Sequence, residues 1–169
     1  MASLSFLRTP LVCAALLAAS PTIAASAHRW AHYANPRFGT MLDYPSDLFV
    51  KPVDADNGDG RRWTSAKGGT MRVYGFWNAE SRTPATYAQF LQDTNPARYR
   101  GVTYRLVKPK LLVLSGSVTG PIFYERYAFG DPSGAVHAVV IAYPAKARSV
   151  YDALLPRISG SLKWSKPAG

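Results

Sequence analysis

The hydrophobic pattern is clearest between Val102 and Pro144, where four apolar, β-branched and aromatic runs follow one another: Val102 to Lys108, Leu111 to Ser117, Ile122 to Phe129 and Ala135 to Tyr143. Each is cut from the next by Gly or Pro, the punctuation of strands joined by tight turns, and the set reads as an antiparallel meander. In the second run Leu111 and Val113 alternate with Leu112 and Leu114. In the fourth, Val136, Ala138 and Val140 alternate with Val139, Ile141 and Tyr143. Neither face of these strands is polar, so the sheet needs cover on both sides.

Upstream, Phe38 to Tyr44 reads as a strand closed by Pro45, with Ser46 to Phe49 as the turn that follows. Arg61 to Ser65 and Thr70 to Asn78 form a hairpin around Ala66-Lys67-Gly68-Gly69. Met71, Val73, Gly75 and Trp77 fall on one of its faces and Arg72, Tyr74 and Phe76 on the other, and both Trp63 and Trp77 are expected in the core. A helix begins at Thr83, a good N-cap, with Pro84 in the first helical position and Tyr87, Phe90 and Leu91 as its apolar stripe; Asn95-Pro96 ends it. Val150, Leu154, Ile158 and Leu162 recur every four residues, with Leu155 beside them, and predict a C-terminal amphipathic helix. Pro156 inside this pattern either kinks the helix or sits in its first turn with Asp152 as the cap. Two helices and about seven strands make an α+β fold, an α/β/α sandwich with a central antiparallel sheet.

Three features at the start of this series, the Asn35-x-x-Phe38-Gly39 opening, the short strand ending in Tyr44-Pro45 and the aromatic Phe49, resemble the entry to the PsbP-like fold. That superfamily includes the extrinsic oxygen-evolving subunit of photosystem II, a eukaryotic Ran-binding adaptor and small bacterial periplasmic domains. The order of early strand and hairpins, one helix, a meander and a final helix matches over most of residues 33–162. The resemblance implies a domain that docks to partners rather than turning over a substrate, and places the chain with the bacterial periplasmic group.

The N-terminus sets the expected compartment. Arg8, an apolar run from Leu11 to Ala19 and the small-residue triplet Ala25-Ser26-Ala27 have the form of a cleaved secretory leader, residues 1–27, followed by a single globular domain, residues 28–169. Cleavage after Ala27 leaves His28 as the first residue; cleavage after Ala25 is the alternative. The product is expected in the periplasm or outside the cell, without a membrane span. Cys13, the one cysteine, lies within the leader and not at the end of its apolar run, which excludes lipidation and leaves a mature domain without disulfides.

The whole chain of 169 residues is strongly basic, with 20 Lys and Arg against 10 Asp and Glu. Arg61, Arg62, Arg98, Arg100 and Arg105 are the candidate contact surface, chosen for local charge. Arg98 to Arg105 and Arg61-Arg62-Trp63 interleave cations with aromatics, as single-stranded nucleic-acid binders do, but an exported protein meets no cytoplasmic nucleic acid; an envelope protein or an anionic envelope polymer is the expected partner.

Catalytic and metal chemistry find less footing. Ser115, Ser117, Asp131 and His137 occur in the order of an esterase triad, but no Gly-x-Ser-x-Gly elbow surrounds either serine, and His137 shares a strand face with Val139 and Ile141, where a packed histidine is expected. A small exported serine hydrolase is the alternative function. A copper or zinc site at the mature N-terminus, from His28, its α-amine and His32, is another. The loop Asp54 to Gly60 fails the spacing of a calcium loop, with Gly58 where a ligand is needed and Asp59 where the sharp turn needs glycine, and reads as turn. Glu125 and Arg126 point to opposite faces of one strand, each expected to pair across the sheet. No motif implies a cofactor.

Overall fold

The computed structural model describes residues 28–117 and 120–166; the expected leader, residues 1–27, and with it Cys13 lie outside the described residues. In chain order the elements are β1 (Trp30–Ala34), β2 (Thr40–Pro45), β3 (Phe49–Asp54), β4 (Gly60–Ser65), β5 (Thr70–Trp77), α1 (Pro84–Thr94), α2 (Pro96–Tyr99), β6 (Val102–Lys108), β7 (Leu111–Ser117), β8 (Pro121–Ala128), β9 (Ala135–Pro144), α3 (Arg148–Asp152), α4 (Leu155–Gly160) and β10 (Lys163–Trp164). Seven strands form one antiparallel sheet in the order β3-β4-β5-β9-β8-β7-β6, and β1, β2 and β10 form a small sheet with β2 in the middle.

The meander is β6 to β9, within a residue or so of the boundaries read from its Gly and Pro punctuation. β9 lies inside the large sheet, between β5 and β8, with seven of its first nine residues buried, which is why its sequence is apolar on both sides. One face of the sheet packs Trp63, Met71, Val73, Val139 and Ile141 against Leu42 of the small sheet and Tyr151 and Ile158 of the C-terminal helices. The other packs Leu112, Leu114, Phe123 and Tyr127 against Tyr87 and Ala88 of α1 and Tyr99 of α2. Each large side chain so buried contributes about 1.5–3 kcal/mol relative to exposure. The result is the expected α+β sandwich, with a second small sheet added to one outer layer.

α1 begins as its sequence dictates. Thr83 Oγ1 accepts from the Thr86 amide at 3.2 Å while the Thr83 amide donates to Thr86 Oγ1 at 2.9 Å, a reciprocal cap in which threonine takes the place usually held by Glu or Gln. Asn95 ends α1 and its side chain caps α2, accepting from the Arg98 amide at 3.1 Å. The close approach of β2 to β5 requires Gly75, because a Cβ there would collide with the Phe38 ring and with Thr40 Oγ1.

Four expectations need correction. Phe49, expected to close a turn, opens a strand that runs to Asp54, and Trp30–Ala34, for which the sequence pattern predicts no element, is a strand too. The C-terminal helix is two short ones: Pro156 sits in the first turn of α4, since it has no N–H for an interior position and its ring would strike the carbonyl four residues back. Asp152 is not the cap; it accepts from the Tyr143 hydroxyl at 2.5 Å and from Arg148 Nε at 2.9 Å. Trp77 is 52% exposed, because it occupies the last position of β5, where the Phe38 ring meets it at 5.2 Å.

Candidate docking surface

The register of the large sheet lines up one row of side chains: Arg62 on β4 faces Arg72 on β5, which faces Val140 on β9, then Glu125 on β8, Leu114 on β7 and Arg105 on β6. Leu114 and Glu125 belong to the face covered by α1 and α2, so the whole row does. α1 packs over β7 and β6, leaving the row open above β4 and β5. There lies a groove of about 510 Å³ lined by Arg62, Arg72, Tyr74, Arg98, Tyr99 and Glu125 among others. A neighbouring concavity of about 460 Å³ shares Arg62, Arg72 and Tyr74 and runs on to Asp54, Asn57 and Asp59.

Arg62 and Arg72 are both exposed and stand directly opposite each other on adjacent strands. Like charges in that position destabilise a sheet. Neither makes an ion pair among the described residues; Arg72 lies over the Tyr74 ring, 4.5 Å from its centre. Tyr74, Phe76 and Tyr87 continue as a stacked aromatic series along the wall.

The groove's inner end is fixed by Glu125, which is 2% exposed. Its Oε1 accepts from Arg98 Nε at 2.9 Å and Nη2 at 2.6 Å, and its Oε2 from the hydroxyls of Tyr99 at 3.0 Å and Tyr127 at 2.8 Å. A buried carboxylate is tolerated when saturated in this way. Burial works against the Arg98 charge, but the bond to Glu125 more than offsets it and holds the guanidinium above its ordinary value. Burial first, and then the Glu125 charge, push Tyr99 above the ordinary tyrosine value, and burial, then Tyr74 and Glu125, push Tyr127 well above it, so both remain donors. Glu125 therefore pairs with the helix layer and not across the sheet: its strand neighbours, Leu114 and Val140, are apolar, and α2 brings Arg98 over it.

On the opposite face, His137 is fully buried between Thr40 Oγ1, 2.7 Å from Nδ1, and Asp131 Oδ2, 3.0 Å from Nε2, with Trp164 stacked on its ring at 4.9 Å. Asp131 is held below the ordinary carboxylate value: burial raises it, but bonds from Ser133 and His137 outweigh that. Nε2 thus donates to Asp131 and Nδ1 accepts from Thr40. Neither candidate serine reaches this group. Ser115 lies in register with Tyr124 and Ile141, two strands and four residues from His137, about 10 Å across and about 13 Å along the sheet, and its hydroxyl donates to the Phe123 carbonyl. Ser117 is exposed at the end of β7.

The two N-terminal histidines go to separate carboxylates, His28 to Asp47 and His32 to Asp43, each at 2.7 Å. No group of three metal-ligating side chains forms among the described residues. Of the five arginines chosen by charge, Arg62 and Arg98 meet in the groove. Arg61 turns to the other face of β4, pairs with Asp54 and lies over Tyr33. Arg100 and Arg105 are exposed but do not line the groove. Arg72 was missed, although its place beside Tyr74 and Phe76 on the hairpin's second face was the signal that could have found it.

No protein-family model and no curated protein sequence matches this chain. Solved structures do. The solution structure of cyanobacterial PsbP from Synechocystis sp. PCC 6803 superposes with a TM-score of 0.59 over 88% of this chain and 99% of that one, at 10% identity. The chain has the PsbP-like fold. The Ran-binding protein Mog1p of Saccharomyces cerevisiae is similar too, with a TM-score of 0.52 over 82% of this chain and 96% of that one, at 9% identity. In this PsbP-like fold the groove is built by β4 and β5 on one side and by α1 and α2 on the other. No helix among the described residues is long and apolar enough to cross a membrane.

Proposed function

We propose that this chain is a non-enzymatic adaptor domain of the bacterial envelope that docks an anionic partner, an acidic protein surface or a polyanionic polymer, in the groove over β4 and β5. The observation that carries the reading is the facing pair Arg62 and Arg72, exposed and without an acid to neutralise it among the described residues. An anion bound between them turns an unfavourable juxtaposition into a two-pronged clamp. The aromatic wall beside it supplies rigid contact area at little entropic cost, and Arg98, locked on Glu125, holds the far wall in place. The expected leader supports the envelope location, and the similarity to the Ran-binding protein Mog1p supports protein docking as a use of this fold.

The test is capture of partners from envelope extract by residues 28–169, at low and high salt, beside an Arg62→Glu/Arg72→Glu variant. Partners held at low salt, released at high salt and absent from the variant bear the reading out, since exposed charge pairs are screened. Capture of the same partners by the variant sinks it. Titration with poly-L-glutamate in the same two salts gives the defined polyanion control.

A further inference from the structure

The large sheet ends on β3 at one side and β6 at the other, and only one of these ends is closed to a further strand. β3 is blunted. Its register with β4 slips between Val50 and Val53, Lys51 takes a positive φ of 50°, and Pro52 has no N–H to offer. These are the devices by which natural sheets refuse an added strand.

β6 has none of them along most of its length. From Tyr104 to Lys108 it pairs with β7 in unbroken register, its one irregularity lying between Val102 and Tyr104. Its backbone makes no further hydrogen bond among the described residues, so alternate N–H and C=O groups face outward without a partner. Tyr104 is 52% and Val107 39% exposed, and Arg105 and Lys108 are exposed with them. The surrounding sequence has no acid between Asp93 and Glu125 but carries Arg98, Arg100, Arg105, Lys108 and Lys110, of which Arg98 is taken up by Glu125.

We propose that β6 is a strand-addition site for an extended acidic segment of a partner protein, which continues the sheet as an eighth strand. Backbone pairing supplies the attachment and alternate side chains the selection. On the helix-covered side the incoming strand meets Arg105 and Val107; on the other it meets Tyr104, Leu106 and Lys108. The complementary antiparallel strand places an acid against Lys108, two apolar residues against Val107 and Leu106, an acid against Arg105 and an apolar residue against Tyr104. A second copy of this chain is a poor occupant, because it would bring the same acid-free basic segment against itself. The proposal stands independently of the groove, since Arg105 does not line it.

The probe is the blocked peptide acetyl-Thr-Glu-Val-Val-Glu-Val-Thr-amide, added at up to millimolar concentration to residues 28–169, with amide hydrogen exchange read by NMR. Exchange is expected to slow by about tenfold, the factor that one net hydrogen bond supplies, at alternate amides between Tyr104 and Lys108, and to be unchanged along β3. The peptide with Lys in place of Glu produces no slowing. An Arg105→Glu/Lys108→Glu variant, shown folded by its near-UV circular dichroism, loses the acidic peptide and takes the lysine peptide instead, whereas Arg62→Glu/Arg72→Glu leaves both responses as in the wild type. Slowing over β4 and β5 in place of β6, no slowing with the acidic peptide, or protection of β6 by self-association without peptide would each overturn the assignment.

Discussion

Each face of the seven-stranded sheet buries one ionisable cluster, and the two are built on opposite plans. On the helix side Glu125 is a carboxylate surrounded by four donor contacts, from Arg98, Tyr99 and Tyr127, and its structure depends on keeping its charge. On the other side His137 is neutral, satisfied through both ring nitrogens by Thr40 and Asp131, and its structure depends on staying uncharged. The first ties the helix layer to the sheet; the second ties the small sheet to it, across 97 residues of sequence. Buried polar groups thus hold both outer layers in register, but they fail under different insults.

The largest effect is expected from Glu125→Ala, which leaves a half-buried guanidinium and two tyrosine hydroxyls without their acceptor. Urea unfolding should show a loss of about 3 kcal/mol, and a loss under about 1 kcal/mol would mean that α2 is held by packing alone. His137→Ala comes next, at about 2 kcal/mol, combining a cavity under Trp164 with two orphaned polar partners.

The pH dependence separates the two clusters more sharply. Burial pulls His137 below its ordinary value of 6.5, against an opposing pull from Asp131. The unfolded chain then binds a proton that the folded chain refuses, so stability falls as pH drops through 6.5 and goes on falling until the folded histidine also titrates. Asp131, lowered from 3.8, adds a second loss only in stronger acid. Urea midpoints at pH 7 and pH 5 should therefore differ less in a His137→Gln variant than in the wild type; an equal difference would assign the sensitivity elsewhere. Smallest, and opposite in sign, is Arg62→Ala: relief of the repulsion from Arg72 should leave stability unchanged or raise it, within about 0.5 kcal/mol and most visibly at low salt.

What could be read in the sequence follows how each element is buried. The meander was legible to within a residue because Gly and Pro punctuate its strands and its inner strands β7, β8 and β9 carry long apolar runs, whereas the edge strand β6, which buries no residue, was marked by its punctuation alone; α1 was legible because Thr83-Pro84 and Asn95-Pro96 mark both ends. β1 and β3 were not, since each buries a single residue, Tyr33 and Phe49, and one buried position makes no period. The four-residue spacing of Val150 to Leu162 marks a helical segment and Pro156 does take the first-turn place that was one of its two readings, but the spacing does not show that the segment splits into α3 and α4 or that Asp152 is no cap. In the docking surface, charge alone pointed to Arg62 and Arg98. What joins them is a strand register and a helix crossing, and these set Arg72 opposite Arg62 and Arg98 over Glu125, 27 residues away along the chain.

The place of β9 beside β5 also fixes how the molecule is assembled. Residues 49–77 make a local three-stranded stack and residues 102–144 a local four-stranded meander, so each half can form from neighbours in sequence. They meet along one seam, where Met71 pairs with Ile141 across about 70 residues, and that loop closure is the entropically demanding step. A chain halted before Ala135 would present β5 with no neighbour on one side, a ready template for joining another molecule, so the seam governs how long the nascent protein needs guarding against aggregation.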